Sequence, residues 1–232
     1  MLVLATNPKE EDIVLDFFAG SSALAHAIME HNADDGGNRR FILVQLPEVC
    51  DEKSEAAKAG YANICEIGKE RIRRAGQQFE KNNPLLEGEY DIGFRVFKLD
   101  SSNLKQWDGS PIRGYGEEAE MELYQRLLGH LEILKPERTN EDVVFEVMLK
   151  LGQDLCETVT PLEVNGKTVY GIGENVKIIV CLADNIQPED AAAMADYAPG
   201  RIIFADSCFS STEQKSNVRL TLKDKGITIK TL

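Results

Sequence analysis

From Ile13 the chain reads Ile-Val-Leu-Asp-Phe-Phe, apolar at every position but one. A run of that kind predicts a central strand covered by helices on either side. Ala19-Gly20-Ser21-Ser22 supplies a turn, and Leu24, Ala27, Ile28 and His31 then recur at i, i+3, i+4 and i+7, so a helix starts at once. Phe41-Ile42-Leu43-Val44-Gln45-Leu46 predicts a second strand that closes a βαβ unit. Gln45 and Glu48 fall at its carboxyl end, where α/β sheets bind ligands. A glycine-bearing turn between strand and helix is a layout that cradles phosphates and nucleosides.

Downstream, Tyr61, Ile64, Cys65, Gly68 and Ile72 form an apolar stripe that predicts a long helix packed on the sheet. Gly76 to Gly88, with Asn82-Asn83-Pro84, reads as helix end and connector. Phe94, Val96, Phe97 and Leu99 predict another strand, and Asp108-Gly109-Ser110-Pro111 with Gly114-Tyr115-Gly116 predict a mobile loop. Two helices come next: Tyr124, Leu127, Leu128, Leu131 and Leu134, stopped by Pro136, then Val144, Val147, Met148 and Leu151 behind a Thr139/Asp142 capping box. Asn165-Gly166 between apolar runs predicts a hairpin. Lys177–Leu182, a helix from Pro188, Arg201–Phe204, a helix from Ser211 and Ile227–Ile229 then alternate strand and helix. The pattern predicts an α/β protein of two units, residues 1–90 and 91–232.

Composition narrows the chemistry. At roughly 150 residues per domain, 232 residues hold one or two cores. A formal net charge of −13 argues against a surface that grips a nucleic-acid backbone unaided. Lys69, Arg71, Arg73 and Arg74 cluster on one helix, but Glu66 and Glu70 beside them make it a solvated face. The five cysteines form no CxxC pair and have no zinc-like spacing with His, so they read as reduced cytosolic thiols. His26 and His31 read as capped or core histidines, Ser207-Cys208 as a plain turn, and Trp107 as a loop anchor. No signal-peptide pattern and no apolar run near the ~20 residues of a membrane span appear, so a cytoplasmic protein without a membrane partner is expected.

Asp16-Phe17-Phe18-Ala19-Gly20-Ser21 resembles the cofactor motif Asp-x-Phe-x-Gly-Ser-Gly-Thr-Thr of amino-group DNA methyltransferases, most closely that of type III restriction-modification modification subunits. The resemblance continues through Arg40–Glu48, Ala62–Cys65, Glu70–Arg74 and Gly93–Asn103, and returns at Val169-Tyr170 and Phe204–Ser207. It implies a partial Rossmann-like S-adenosylmethionine methyltransferase unit over residues 1–90. A small α/β C-terminal domain with an assembly role follows over 91–232. It places Asp16, Phe18, Ala19, Gly20 and Ser21 around the methionine end of the cofactor, and Gln45 at the ribose with Glu48 assisting. Gln45 stands where many methyltransferases carry an acid.

Two departures qualify what the resemblance implies. Gly20-Ser21-Ser22-Ala23-Leu24 lacks a glycine and two hydroxyls of the motif, so cofactor binding is expected to be weak or lost. The Asp/Asn-Pro-Pro-Tyr/Phe motif that holds a flipped base is absent, because neither Asn7-Pro8 nor Asn83-Pro84 continues with proline and an aromatic. No catalytic residue and no metal ligand is therefore assigned. The expectation is the C-terminal portion of a type III DNA adenine-N6 methyltransferase, inactive alone, with Met1–Thr6 the end of a helix cut by truncation. Its expected partners are the missing N-terminal half, a second copy, a restriction subunit, and DNA only within the full complex. The alternative is a noncatalytic assembly or regulatory module with a decayed cofactor site, docking modification or restriction subunits.

Overall fold

The computed structural model describes residues 8–82, 91–112, 114–129 and 134–232, with the backbone alone for 128 and 129. The expected helix end at Met1–Thr6, the connector beyond Asn82, Leu131 and the Leu128 side chain lie outside those residues. The architecture is α/β, in two compact units, residues 1–96 and 97–232.

In the first unit, β1 (Ile13–Asp16) runs parallel to β2 (Arg40–Leu43), with Val14 opposite Phe41 and Asp16 opposite Leu43. The connecting helix α1 (Ala23–Asp35) ends at Gly36, whose φ of 72° lets its N–H reach Asn32 O at 2.9 Å. Arg39 then bolts the end of α1 to the start of β2. Its guanidinium pairs with both Asp35 oxygens at 2.8 Å, and its Nε donates to Pro8 O at 2.9 Å. That guanidinium holds the Asp35 carboxyl at about 2, well below the ordinary carboxylate range. A short helix α2 (Glu55–Lys58) and the long α3 (Ile64–Asn82) follow.

Three expectations change here. Helix α3 packs chiefly against α1 rather than against the strands, and it buries Gly68, Ile72, Ala75 and Gly76, with Gly68 against Ser22 and Gly76 against Ile92. β1 is covered on one face only: Ile13, Leu15 and Phe17, with Ile42 and Val44 of the neighbouring strand segment, are between 51% and 63% exposed. The alternation of a strand sends these side chains away from α1, and no second helix layer stands there among the described residues. The strand expected at Phe94–Leu99 is irregular backbone. Ile92 rests on Gly76 and Phe94 lies under the Arg73 guanidinium, 5.7 Å from its carbon, so the segment leans on a helix and has no ladder to join.

The described residues of the second unit form one sheet, in spatial order β3 (Val159–Val164), β4 (Lys167–Ile172), β5 (Ile178–Cys181), β6 (Arg201–Phe204) and β7 (Thr228–Thr231). β3, β4 and β5 join antiparallel; β5, β6 and β7 join parallel. Before it, α4 (Glu117–Gly129) keeps Met121, Tyr124 and Leu127 more than half exposed, whereas Leu134, the last residue of the expected stripe, lies beyond the helix and packs against both cores of the sheet. Helix α5 (Asn140–Lys150) starts at the Thr139/Asp142 capping box. Helices α6 (Pro188–Ala195) and α7 (Thr212–Asp224) form the crossovers between the parallel strands.

Period-2 alternation builds two cores from the same strands. Ile179, Cys181, Ile202 and Phe204 pack toward α6 and α7 with Met194, Val218 and Leu222. Ile178, Val180 and Ile203 pack toward α5 with Val144, Val147 and Met148. Each fully buried aliphatic side chain contributes about 2 kcal/mol before entropy is charged. Asp100–Leu104 docks on α5: Glu146 accepts from Ser102 Oγ and the Asn103 N–H, while Arg138 holds Asp100 at 2.7 Å.

The hairpin turn uses Asn165 and Gly166 at φ 50° and 77°, the pair of positive angles that a two-residue turn between twisted strands requires. It is tied to α6 through the buried Asp190. That carboxylate accepts from Asn165 Nδ2 and the Gln187 N–H at 2.9 Å each, and pairs with Lys167. Burial works to raise its pKa, yet the Gln187 N–H, the Lys167 ammonium and the Asn165 amide together hold it low. Asp190→Ala leaves the half-buried Lys167 ammonium with Asn185 O alone and takes the acceptor from the Gln187 N–H and the Asn165 amide, so it is expected to cost about 2 kcal/mol in urea unfolding. A loss under about 1 kcal/mol contradicts this bracing.

Candidate functional site

Strand β1 ends at Asp16, and the chain turns between Phe17 and Ser22 into α1. The turn stays on the sheet because Val44 N–H donates to Asp16 O at 2.8 Å and Ala19 N–H donates to Val44 O at 3.2 Å. Asp16 Oδ1 accepts the Phe18 N–H at 3.0 Å, which fixes its half-buried carboxylate at the strand end. Gly20 adopts φ 53°, and its N–H donates to Gln45 Oε1 at 2.7 Å across 25 residues. Gln45 Nε2 in turn donates to Leu46 O at 3.1 Å.

The residues expected around the cofactor therefore divide into two groups. Asp16, Ala19, Gly20 and Gln45 come together through hydrogen bonds at the carboxyl ends of β1 and β2. Phe18 is 81% exposed beside Phe17, ring centroids 5.1 Å apart, and offers an apolar face to solvent. Ser21 is half-exposed on the turn. Glu48 is exposed, and its backbone carbonyl accepts the Ile64 N–H at 3.0 Å, tying the segment after β2 to α3.

Ser22 corrects part of the sequence argument. It is buried, and it sits at φ 61° as the N-cap of α1 without a side-chain capping bond. The left-handed region is strained for serine and free for glycine, which is the residue the methyltransferase motif has there. Its Oγ lies against Gly68 of α3, where an added Cβ would collide with it. Gly68 and Cys65 are site residues that sequence reasoning missed: Cys65 Sγ lies 3.6 Å from Gln45 O. A glycine inside an amphipathic helix was the available signal of a close approach.

Elsewhere, Lys69 pairs with Glu66 and Arg74 with Glu70, which makes the basic cluster on α3 an ion-paired face. His26 and His31 face Glu30 and Asp35 one turn on. Cys208, in a tight turn over Asp206–Cys208, is buried with Sγ 3.2 Å from Cys181 O. An open depression at the amino end of β1 is lined by acidic residues, and its guanidinium, Arg39, is already spent on Asp35 and Pro8. No metal-binding group of three His, Cys, Asp or Glu occurs among the described residues.

No family model matches the chain. Individual proteins do. The chain is 33% identical over 79 residues to the type II methyltransferase M.KpnI of Klebsiella pneumoniae, covering 34% of this chain and 19% of that one. It is 43% identical over 90 residues to the type III restriction-modification enzyme StyLTI Mod subunit of Salmonella typhimurium, covering 39% and 14%. It is 29% identical over 211 residues to the EcoP15I Mod subunit of Escherichia coli, covering 88% and 29%. The chain thus spans less than a third of the length of each of these relatives. It is an α/β protein related to methyltransferases. Within that class, it is a relative of the Mod subunits of type III restriction-modification enzymes.

The Ser22–Gly68 contact predicts a reversal of sign. Gly68→Ala gains up to ~1 kcal/mol of helix propensity but overpacks Ser22 by about 2 kcal/mol, so it destabilises the first unit. In a Ser22→Gly background the same change has nothing to strike and stabilises. A double-mutant cycle in denaturant measures the coupling, and equal effects in both backgrounds contradict the packing described.

Proposed function

We propose that the chain is the C-terminal portion of a site-specific DNA adenine-N6 methyltransferase of a type III system. It carries the S-adenosylmethionine turn and lacks the residues that hold the target base. The observation that carries this reading is Asp16, Gly20 and Gln45 gathered at the carboxyl end of β1 and β2, in a chain related to Mod subunits. The residues suit the group: the Asp16 carboxylate would hold the cofactor's ammonium, the exposed Phe18 ring would offer its apolar arm a face, and Gly20 puts no side chain in the way. Bound, the cofactor supplies an electrophilic methyl group. Asp16 and the turn orient it and move no proton.

The bare face of β1, and its outer edge unpaired among the described residues, support the second half of the reading, in which further strands and a helix layer come from another polypeptide segment. That segment, a restriction subunit and a second copy are the partners proposed, with DNA engaged by the assembly. A noncatalytic docking module is the second reading. It is favoured by one observation, that the Gly20 donor is already taken by Gln45.

Calorimetric titration of this chain with S-adenosylmethionine is expected to show binding too weak to measure at ordinary concentrations, below the millimolar range. The triple change Ser22→Gly, Ala23→Thr, Leu24→Thr is expected to bring binding into range by relaxing φ at residue 22 and adding hydroxyls. Tight binding by the unaltered chain, or radiolabel transfer to DNA by it alone, contradicts the proposal; failure of the triple variant to bind favours the docking module.

A further inference from the structure

Gln45 is held at both ends of its amide. Its Oε1 takes the Gly20 N–H at 2.7 Å, its Nε2 gives to Leu46 O at 3.1 Å, and its backbone carbonyl faces Cys65 Sγ at 3.6 Å. A side chain fixed in this way is poorly placed to wait for a ribose. The Gly20 N–H belongs to a left-handed turn two residues ahead of the α1 N-cap, at the strand end where the other acceptors gather. Among the turn amides, those of Ala19 and Ser22 are spent on Val44 O and Ala19 O, and that of Phe18 on Asp16. The Gly20 N–H is instead satisfied by a side chain 25 residues away, that of Gln45 in the segment after β2.

We propose that Gln45 is an internal competitor for that donor, so that a ligand carboxylate docks at Gly20 only by displacing the Gln45 amide oxygen. This deepens the cofactor-turn reading and rests on it. A carboxylate makes a stronger, charge-assisted bond to an N–H than a neutral amide does, so displacement is favourable but gives back the bond it breaks. The ligand class is a nucleoside joined to an amino acid. The nucleoside portion alone never meets the competition.

Amide-resolved NMR on the full chain tests this without any activity. Gln45→Ala is expected to speed hydrogen exchange at Gly20 by about tenfold, the weight of one hydrogen bond, and to leave Ser22 unchanged. S-Adenosylhomocysteine is then expected to bind Gln45→Ala roughly fivefold more tightly than wild type. Adenosine binds both alike. Gln45→Glu, which keeps the N–H occupied and adds a like charge, is expected to bind S-adenosylhomocysteine more weakly than wild type. Unchanged Gly20 exchange in Gln45→Ala overturns the proposal. Weaker binding of both ligands by Gln45→Ala also overturns it, by making Gln45 a ribose contact, and leaves the cofactor reading standing. If millimolar S-adenosylhomocysteine shifts no amide between Asp16 and Ser22 in any variant, the cofactor reading itself fails, and the competition falls with it.

Discussion

A parallel pair of strands is stable when both of its faces are covered, and that constraint sorts the two units. In the second unit the alternation of β5 and β6 sends Ile179, Cys181, Ile202 and Phe204 to one helix layer and Ile178, Val180 and Ile203 to the other. The two cores share a backbone, so neither layer is optional. In the first unit the same alternation sends Val14 toward α1 and sends Ile13 and Leu15 to solvent. Its strands meet half of the requirement.

The turn after β1 shows how local geometry and packing constrain one another. Left-handed angles at Gly20 and Ser22 bend the chain from strand to helix within a few residues. Glycine adopts such an angle freely, whereas serine pays for it and brings an Oγ that must go somewhere. Here the Oγ goes inward, and Gly68 is the residue that makes room for it. The close approach of α3 to the turn in turn sets Cys65 beside Gln45. One substitution in a glycine motif is thus read out in a helix nearly fifty residues away.

Much of the fold was legible because its signals are local. The strand-turn-helix at Ile13–Asp35, the Thr139/Asp142 box, the Asn165-Gly166 turn and the alternation from Ile178 onward each depend on residues close in sequence. What was misread depends on partners. Phe94–Leu99 has strand composition but rests on a helix, and the apolar run of β1 looks the same whether one face or two is covered. The site followed the same rule. Asp16 and Gly20 were candidates from the motif, and Gln45 from its place after β2. The bond that joins Gln45 to Gly20 spans 25 residues and leaves no mark in either stretch.

Among the described residues, the β5–β6 pair is covered on both faces and the β1–β2 pair on one. Native-state hydrogen exchange on the intact chain tests it directly, because amide protection reports which ladders open locally and which only with global unfolding. The account predicts that amides of β5 and β6 exchange only through global unfolding, while those of β1 and β2 exchange through a far smaller opening. Equal protection of β1 and β5 would contradict it, since it would require a second face for the β1–β2 pair already in place within this chain.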